Sequence, residues 1–220
     1  QQLPPLGLIA GGTGNSILTS FNLLDIKLAV NTICDGYIRG MDLGKVIIPN
    51  NIIHYSFNMM GYGLGVLANQ YAEKLRCFGT LRYDCGAILS ILDNPDYYLE
   101  ATLENNVILK GNYAVIMIQN NNYSGSELNV APFAKVDDGY FDILLMKNIG
   151  RKGLIYMFDE LKRNGSHIYV ENLQYYQVKS LKIYSNESNY VNIDGENIEN
   201  ASPFTLNVLH RYISICYPIE

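Results

Sequence analysis

The stretch Gly11-Gly12-Thr13-Gly14-Asn15-Ser16 follows a short apolar run, Leu6 to Ala10, and precedes residues with helical spacing. Its glycines let backbone N–H groups approach an anion, and Thr13 adds a hydroxyl. A helix starting near Ser16 would point its positive end at the same place. That chemistry is phosphate binding. A tight strand-to-helix turn without a ligand accounts for the same residues, because the spacing fits neither GxxxxGKS/T nor GxGxxG. Asn15 or Ser16 is a natural N-cap.

A second group runs Glu73-Lys74-Leu75-Arg76-Cys77-Phe78-Gly79-Thr80-Leu81-Arg82. The pattern predicts Arg76 at a helix C-terminus, Gly79 as its left-handed stop and Arg82 at the next helix start. Two guanidiniums across a glycine corner can converge on one polyanion, since their forked donors match phosphate. Otherwise they are surface charge, with Glu73 pairing locally. Asn192-Ile193-Asp194-Gly195-Glu196 reads as a hairpin turn, or as carboxylates serving Mg2+, a nucleotide or general-base chemistry. Lys135-Val136-Asp137-Asp138-Gly139-Tyr140 reads as a turn into a strand, or as a cation cradle using the Asp138 carboxylate and nearby carbonyls. His54, His167 and His210 do not cluster in sequence, and no GxSxG element occurs, so nucleophilic hydrolysis has no support.

The elements that must hold these groups change character along the chain. A strand, a glycine loop and two amphipathic stretches, the second about Asp25 to Cys34 and stopped at Gly36, occupy the first 37 residues. From Gly40, β-branched and aromatic segments take over: Lys45 to Ile48, Ile52 to Met60, Tyr97 to Glu104, Tyr113 to Gln119 and Phe141 to Met146. Helical islands interrupt them at Val66 to Arg76, about Leu81 to Leu92 and about Lys152 to Arg163. Late strands are expected at about Gln177 to Tyr184, Tyr190 to Ile193 and Thr205 to Cys216. The first of these changes face between Val178 and Leu181, which predicts a bulge near Lys179 or Ser180. The fold class is α+β, mainly β: an antiparallel β-sandwich with two or three packed helices, preceded by an α/β remnant.

The 220 residues, 48% apolar and 17% charged, suffice for a sizeable core and exclude disorder. A net charge of −5 argues against a nucleic-acid partner. No run is long enough to span a membrane, and no signal peptide is evident. Four cysteines without CxxC spacing fit a reducing, cytoplasmic compartment. The sequons at Asn122, Asn164, Asn186 and Asn200 are expected by chance among 24 asparagines.

In their order along the chain these motifs resemble the diacylglycerol kinase-like lipid kinase superfamily, especially its sphingosine kinase and ceramide kinase branch. The carrying residues are Gly7 to Ser16, Gly61-Tyr62-Gly63-Leu64-Gly65, Glu73 to Tyr83, Ala131-Pro132 with Asp138 to Asp142, and Asp194-Gly195-Glu196. The resemblance implies ATP-dependent phosphorylation of a primary hydroxyl on a sphingoid base, ceramide or diacylglycerol. It places ATP in a cleft between an α/β domain (1–37 being its tail) and a lipid-binding β domain (38–220). Gly12, Thr13, Gly14 and Asn15 would hold ATP phosphate or ribose, and Arg76 and Arg82 would grip the phosphates. Asp194 and Glu196 would lie beside the nucleotide, Glu196 as catalytic base in some branches. Asn69 falls where sphingosine kinases carry an Asp for the sphingoid amine, and it supplies no counter-charge there. Lys135, Asp138 and Tyr140 match a structural Mg2+ site, the Lys and Tyr through carbonyl oxygens. A transient, peripheral membrane contact follows from a lipid substrate.

The family's GGDGT motif, which carries the Asp that activates the lipid hydroxyl, does not occur in these residues. With Gln1 in place of an initiator Met, the expectation is a piece of a lipid kinase that does not turn over alone. The alternatives are a non-catalytic lipid-binding module, for which retention of Arg76, Arg82 and Glu196 is unnecessary, and a secreted glycosylated domain.

Overall fold

The computed structural model describes residues 4–12, 14–79, 81–94, 96–125, 128–163, 165–185 and 190–218. Thr13, Thr80 and the sequons at Asn164 and Asn186 therefore lie outside the described residues. Leu6 makes an isolated parallel bridge to Ile215. Helix α1 (Ser16–Ser20) has only five residues, too short for the strong N-terminal dipole expected there. Asn15 occupies the N-cap position but makes no capping bond; its amide donates to the Gly12 carbonyl at 2.8 Å. Helix α2 (Ile26–Asp35) is capped as a sequence of this kind should be: Asp25 accepts from the Leu28 N–H, and Gly36 closes it at φ 70°.

After Gly36 the strands begin: β1 (Ile38–Ile48), β2 (Ile52–Ser56) and β3 (Met59–Gly63). The single run expected from Ile52 to Met60 is split at Phe57-Asn58, where the chain reverses. Helices α3 (Leu64–Lys74) and α4 (Leu81–Asp93) follow, then β4 (Tyr97–Leu103), β5 (Ile108–Gln119), the short pair β6 (Tyr123–Ser124) and β7 (Leu128–Asn129), and β8 (Phe141–Lys147). Helix α5 (Gly150–Lys162) precedes β9 (Leu173–Val178), β10 (Ser180–Tyr184), β11 (Val191–Ile193), β12 (Glu196–Ile198) and β13 (Phe204–Cys216).

The described strands other than β6 and β7 form one antiparallel sheet in the order β12-β11-β3-β5-β4-β10-β13-β1-β2, with β8 bridging β5 and β9. Long strand β5 makes the curl possible. Its first half pairs β4 through Ile108 to Tyr113, and its second half pairs β3 and β8 through Gln119. The sheet folds around Val46, Tyr62, Leu99, Ile116, Phe141 and Phe204, all essentially buried. Each such side chain contributes about 1.5–3 kcal/mol of burial. The expected β-sandwich with packed helices is the observed architecture.

Two local expectations need correcting. The phase change near Lys179 is not a bulge in one strand. Val178 faces Phe141 in the β8–β9 pair, whereas Leu181 faces Leu103 and Leu206 in the β4–β10–β13 part of the sheet. The chain switches partners there, and the Lys179 N–H is taken by the Glu104 carboxylate at 2.8 Å. Second, Arg76 lies past the helix, in a 3-10 turn (Arg76–Phe78). Gly79 has φ 59° and ψ −131°, a region open to glycine but not the left-handed helical one. The turn sends α4 back along α3, and contact is so close that a Cβ at Gly86 would lie 2.4 Å from the Ala68 carbonyl oxygen.

A separate apolar cluster packs α1 and α2 on the sheet, with Ile17, Leu18, Phe21 and Ala29 against Met41 and Ile215. Among the described residues no helix is long and apolar enough to cross a membrane.

Candidate functional site

Arg76 and Arg82 are held by opposite ends of the Glu-to-Arg motif, one in the 3-10 turn and one in the first turn of α4. Both guanidiniums reach the same carboxylate. Arg76 Nε donates to Glu73 Oε2 at 2.8 Å, with Nη2 on the same oxygen, and Arg82 Nη1 lies 3.5 Å from Glu73 Oε1. Arg82 is further fixed by its Nη2 donating to the Tyr83 hydroxyl at 2.7 Å, with the guanidinium stacked over that ring. The Arg82 side chain is mostly buried; Arg76 is exposed. Two forked donors converging on one anionic group are the geometry a phosphate requires.

The Asp-Gly-Glu triplet forms the two-residue turn between β11 and β12, with φ positive at both Asp194 and Gly195. Asp194 does not face solvent freely. Its carboxylate accepts from the Ser56 hydroxyl and from the N–H groups of Phe57, Asn58 and Met59, at 2.8–3.0 Å. It thereby closes the β2–β3 turn; burial raises its pKa, opposed by these hydrogen bonds. Glu196 is exposed. Asn69, on α3, donates its amide to the Gly195 carbonyl at 3.0 Å, so the helix leading to the arginines is tied to this hairpin. Asp194→Asn places an NH2 against the Phe57 N–H and is expected to lower stability by about 1–2 kcal/mol. A urea titration, with exchange at the Phe57 amide, checks this.

The glycine loop connects to the same turn through residues that sequence reasoning missed. Ser16 Oγ accepts from the Gly125 N–H, and Ser20 Oγ lies 3.0 Å and 2.6 Å from the side-chain oxygens of Asn121 and Asn122. Asn121 in turn donates to Asn58 Oδ1. Asn120 donates its amide to the carbonyls of Asp42 and Phe57, each at 2.9 Å. Three consecutive asparagines at the end of an apolar strand were the available signal.

With this geometry in hand, comparison with known proteins is decisive for the family. The family described as YegS C-terminal NAD kinase beta sandwich-like domain matches residues 58–217. The chain belongs to that family. This YegS-type chain is 26% identical over 221 residues to a diacylglycerol kinase of Bacillus subtilis (strain 168), covering 99% of itself and 70% of that protein. A diacylglycerol kinase of Staphylococcus haemolyticus (strain JCSC1435) is 28% identical over 218 residues, with 98% and 64% covered. A crystal structure of a diacylglycerol kinase from Bacillus anthracis str. Sterne superposes with TM-score 0.77 at 22% identity, over 98% of this chain and 69% of that one. The YegS-type chain is thus a member of the diacylglycerol kinase-like lipid kinase superfamily, and it spans roughly two thirds of these relatives' length.

In the YegS-type chain the Lys135–Tyr140 segment borders a cavity of about 440 Å³ lined by Pro132, Phe133, Ala134, Lys135, Asp138 and Gln177. Asp138 accepts the Tyr140 N–H at 3.0 Å, and burial raises its pKa. Asp42, fully buried, anchors this loop by accepting the Gly139 N–H at 2.6 Å, together with the Arg211 N–H and His210 Nδ1. Asp137 is a bidentate partner of Arg39, which lowers its pKa. Among the described residues no three His, Cys, Asp or Glu side chains gather as a metal cluster. Asp138 is the one carboxylate among the residues lining that cavity.

Deeper in the same region lies Asp142, fully buried, which accepts from the Tyr175 hydroxyl at 2.7 Å and from Gln177 at 3.3 Å through Oδ1. Among the described residues its Oδ2 has no partner, nor does either polar atom of Gln119, its cross-strand neighbour. Burial pushes the Asp142 pKa up to about 6.

Proposed function

We propose that the chain supplies the phosphate-gripping and lipid-binding part of an ATP-dependent lipid kinase. The convergence of Arg76 and Arg82 on a single carboxylate carries this assignment. In the nucleotide complex the β- or γ-phosphate would take the place Glu73 now holds, or share it. Gly12, Thr13, Gly14 and Asn15 would line the phosphate or ribose from the other motif, with Glu196 exposed nearby on the hairpin. Lys135, Asp138 and Tyr140 would hold Mg2+, which would stiffen the loop ahead of β8. Residues 1–37 would belong to the nucleotide-binding domain and 38–220 to the lipid-binding one.

Phosphoryl transfer rests on positioning and electrostatic stabilisation, with a base to take the hydroxyl proton. The GGDGT aspartate is not among these 220 residues. The chain alone is therefore expected to be inactive, and active once joined to a GGDGT-bearing kinase segment.

A neutral lipid alcohol such as diacylglycerol or ceramide suits Asn69 better than a sphingoid base does. The Asn69 amide is committed to the Gly195 carbonyl, and Asn69 itself brings no negative charge to an ammonium. The relatives named diacylglycerol kinase favour the same choice. Helix α4 offers a lipid-facing surface, with Leu81, Ile88, Leu89 and Leu92 exposed at helical spacing next to Arg82. The test is a lipid-panel kinase assay on the joined chain. Diacylglycerol should be phosphorylated in preference to sphingosine, and Asn69→Asp should raise sphingosine use about tenfold, the size of one charge-assisted bond. No phosphorylation of any lipid would favour the non-catalytic module; unchanged preference in Asn69→Asp would refute the role of Asn69.

A further inference from the structure

We propose that Asn121 is a positioning residue that locks the glycine loop to the arginine-bearing side of the site, so that both act on one nucleotide as a single surface. The inference rests on the assignment of an ATP site above. Asn121 is 1% exposed, so it would act through others. Its amide has four hydrogen-bonding capacities, and three are directed at separate segments. Oδ1 accepts from the Tyr123 N–H at 2.8 Å, which fixes the chain leaving β5. The same oxygen lies 3.0 Å from Ser20 Oγ at the end of α1, and it shares the single hydroxyl hydrogen of Ser20 with Asn122 Oδ1 at 2.6 Å. Nδ2 donates to the side chain of Asn58, in the β2–β3 turn.

That turn is not a passive end point. The Asn58 N–H is bound by the Asp194 carboxylate, and the neighbouring Gly195 carbonyl accepts from Asn69 on α3. Helix α3 runs directly into Glu73 and Arg76. A continuous chain of hydrogen-bonded groups therefore leads from the glycine loop through Ser20, Asn121, Asn58 and the Asp194–Gly195 turn to the arginines. Asn120 reinforces it, since its N–H donates to the Asn58 carbonyl at 2.9 Å. Helix α1 is too short to hold its own orientation by backbone bonds alone: five residues give it little more than one turn. Its direction is set by apolar packing on one side and by Ser16 and Ser20 on the other. Asn121 is the group in that polar seam that also reaches the opposite wall.

The test uses the 220-residue chain labelled for NMR and titrated with ATP to millimolar concentrations. In the wild type, amides of the glycine loop and the Nε resonances of Arg76 and Arg82 should shift with one common Kd. In Asn121→Ala and in Asn58→Ala, the arginine resonances should still respond, but with affinity about tenfold weaker, and the loop amides should fall silent. The double variant should lose no more than either single one, because both cut the same link. Asn58 is half-buried in a turn, so its replacement keeps the fold even if Asn121→Ala does not. Loop and arginine shifts that stay coupled at wild-type affinity in Asn58→Ala would overturn the proposal. Silence of the wild type to ATP would overturn the ATP site, and unchanged exchange of the α1 amides in Asn58→Ala would overturn the link. Hydrogen exchange separates the two failures: faster exchange of the α1 amides in Asn58→Ala shows the link intact as structure although the nucleotide assignment is wrong.

Discussion

Replacing Asp142 by asparagine is expected to stabilise the protein at neutral pH by as much as about 3 kcal/mol, a gain that vanishes in acid. The carboxylate sits fully buried with no partner for Oδ2 among the described residues, and burial lifts its pKa from 3.8 to about 6. A group whose pKa is raised on folding binds its proton more tightly in the native state. Its favourable contribution is complete below the unfolded value and is lost as pH rises through about 6. Two pKa units correspond to about 3 kcal/mol, and that is the strain the ionised native state carries at pH 8. Asparagine keeps one oxygen for Tyr175 and Gln177 and removes the charge. Urea titrations at pH 4, 6 and 8 should show the wild type weakening across this interval while Asp142→Asn stays nearly flat. Equal pH profiles for the two proteins would mean that water or an ion already satisfies Oδ2.

Arg82→Ala is expected to lower ATP affinity by about 10- to 100-fold, and Arg76→Ala by somewhat less. Charge-assisted hydrogen bonds to an anion contribute about 1.5–3 kcal/mol each. Arg82 is the better ordered of the two, being mostly buried, stacked on Tyr83 and bonded to its hydroxyl. Lysine should not restore it, because an ammonium cannot reproduce the fork or the stacking. Folding stability should hardly change in Arg76→Ala, whose exposed ion pair with Glu73 contributes at most about 1 kcal/mol, whereas Arg82→Ala also loses the stacking on Tyr83 and should cost about 1 kcal/mol more. Calorimetric titration of ATP, beside a thermal melt of each variant, separates the two effects. Undiminished affinity in the double variant would remove the arginines from the site.

How far the sequence reaches is visible at particular residues. The caps of α2 at Asp25 and Gly36, the alternation of β4, and the Asp194-Gly195 turn are local effects, and local patterns predict them. The contacts of Arg76 and Arg82 with Glu73 were also legible, as the local ion pairing open to a glutamate placed just ahead of both arginines. Long-range events were not legible. The face change at Lys179 looks the same whether a strand bulges or switches neighbours, because only the identity of the partner strand distinguishes them. Asp194 showed as an available ligand, whereas the backbone it closes lies over 130 residues earlier. Asn121 and Asp42 matter through partners remote in sequence, and a single polar residue carries no periodicity to betray it.

The pairing of β1 with β13 has a consequence for how the protein is made. On the flank that faces β13, Ile47 pairs with Thr205 and Met41 with Ile213. During synthesis at about 5–20 residues per second, one long flank of β1 stays bare for about 10–30 s while everything between is translated. The β2 hairpin shields the other flank early, but the apolar seat of α1 and α2 also waits for Ile215. Yield in a living cell is then governed by protection of that nascent edge, by holding chaperones or slow ribosomal release, more than by the stability of the finished sheet.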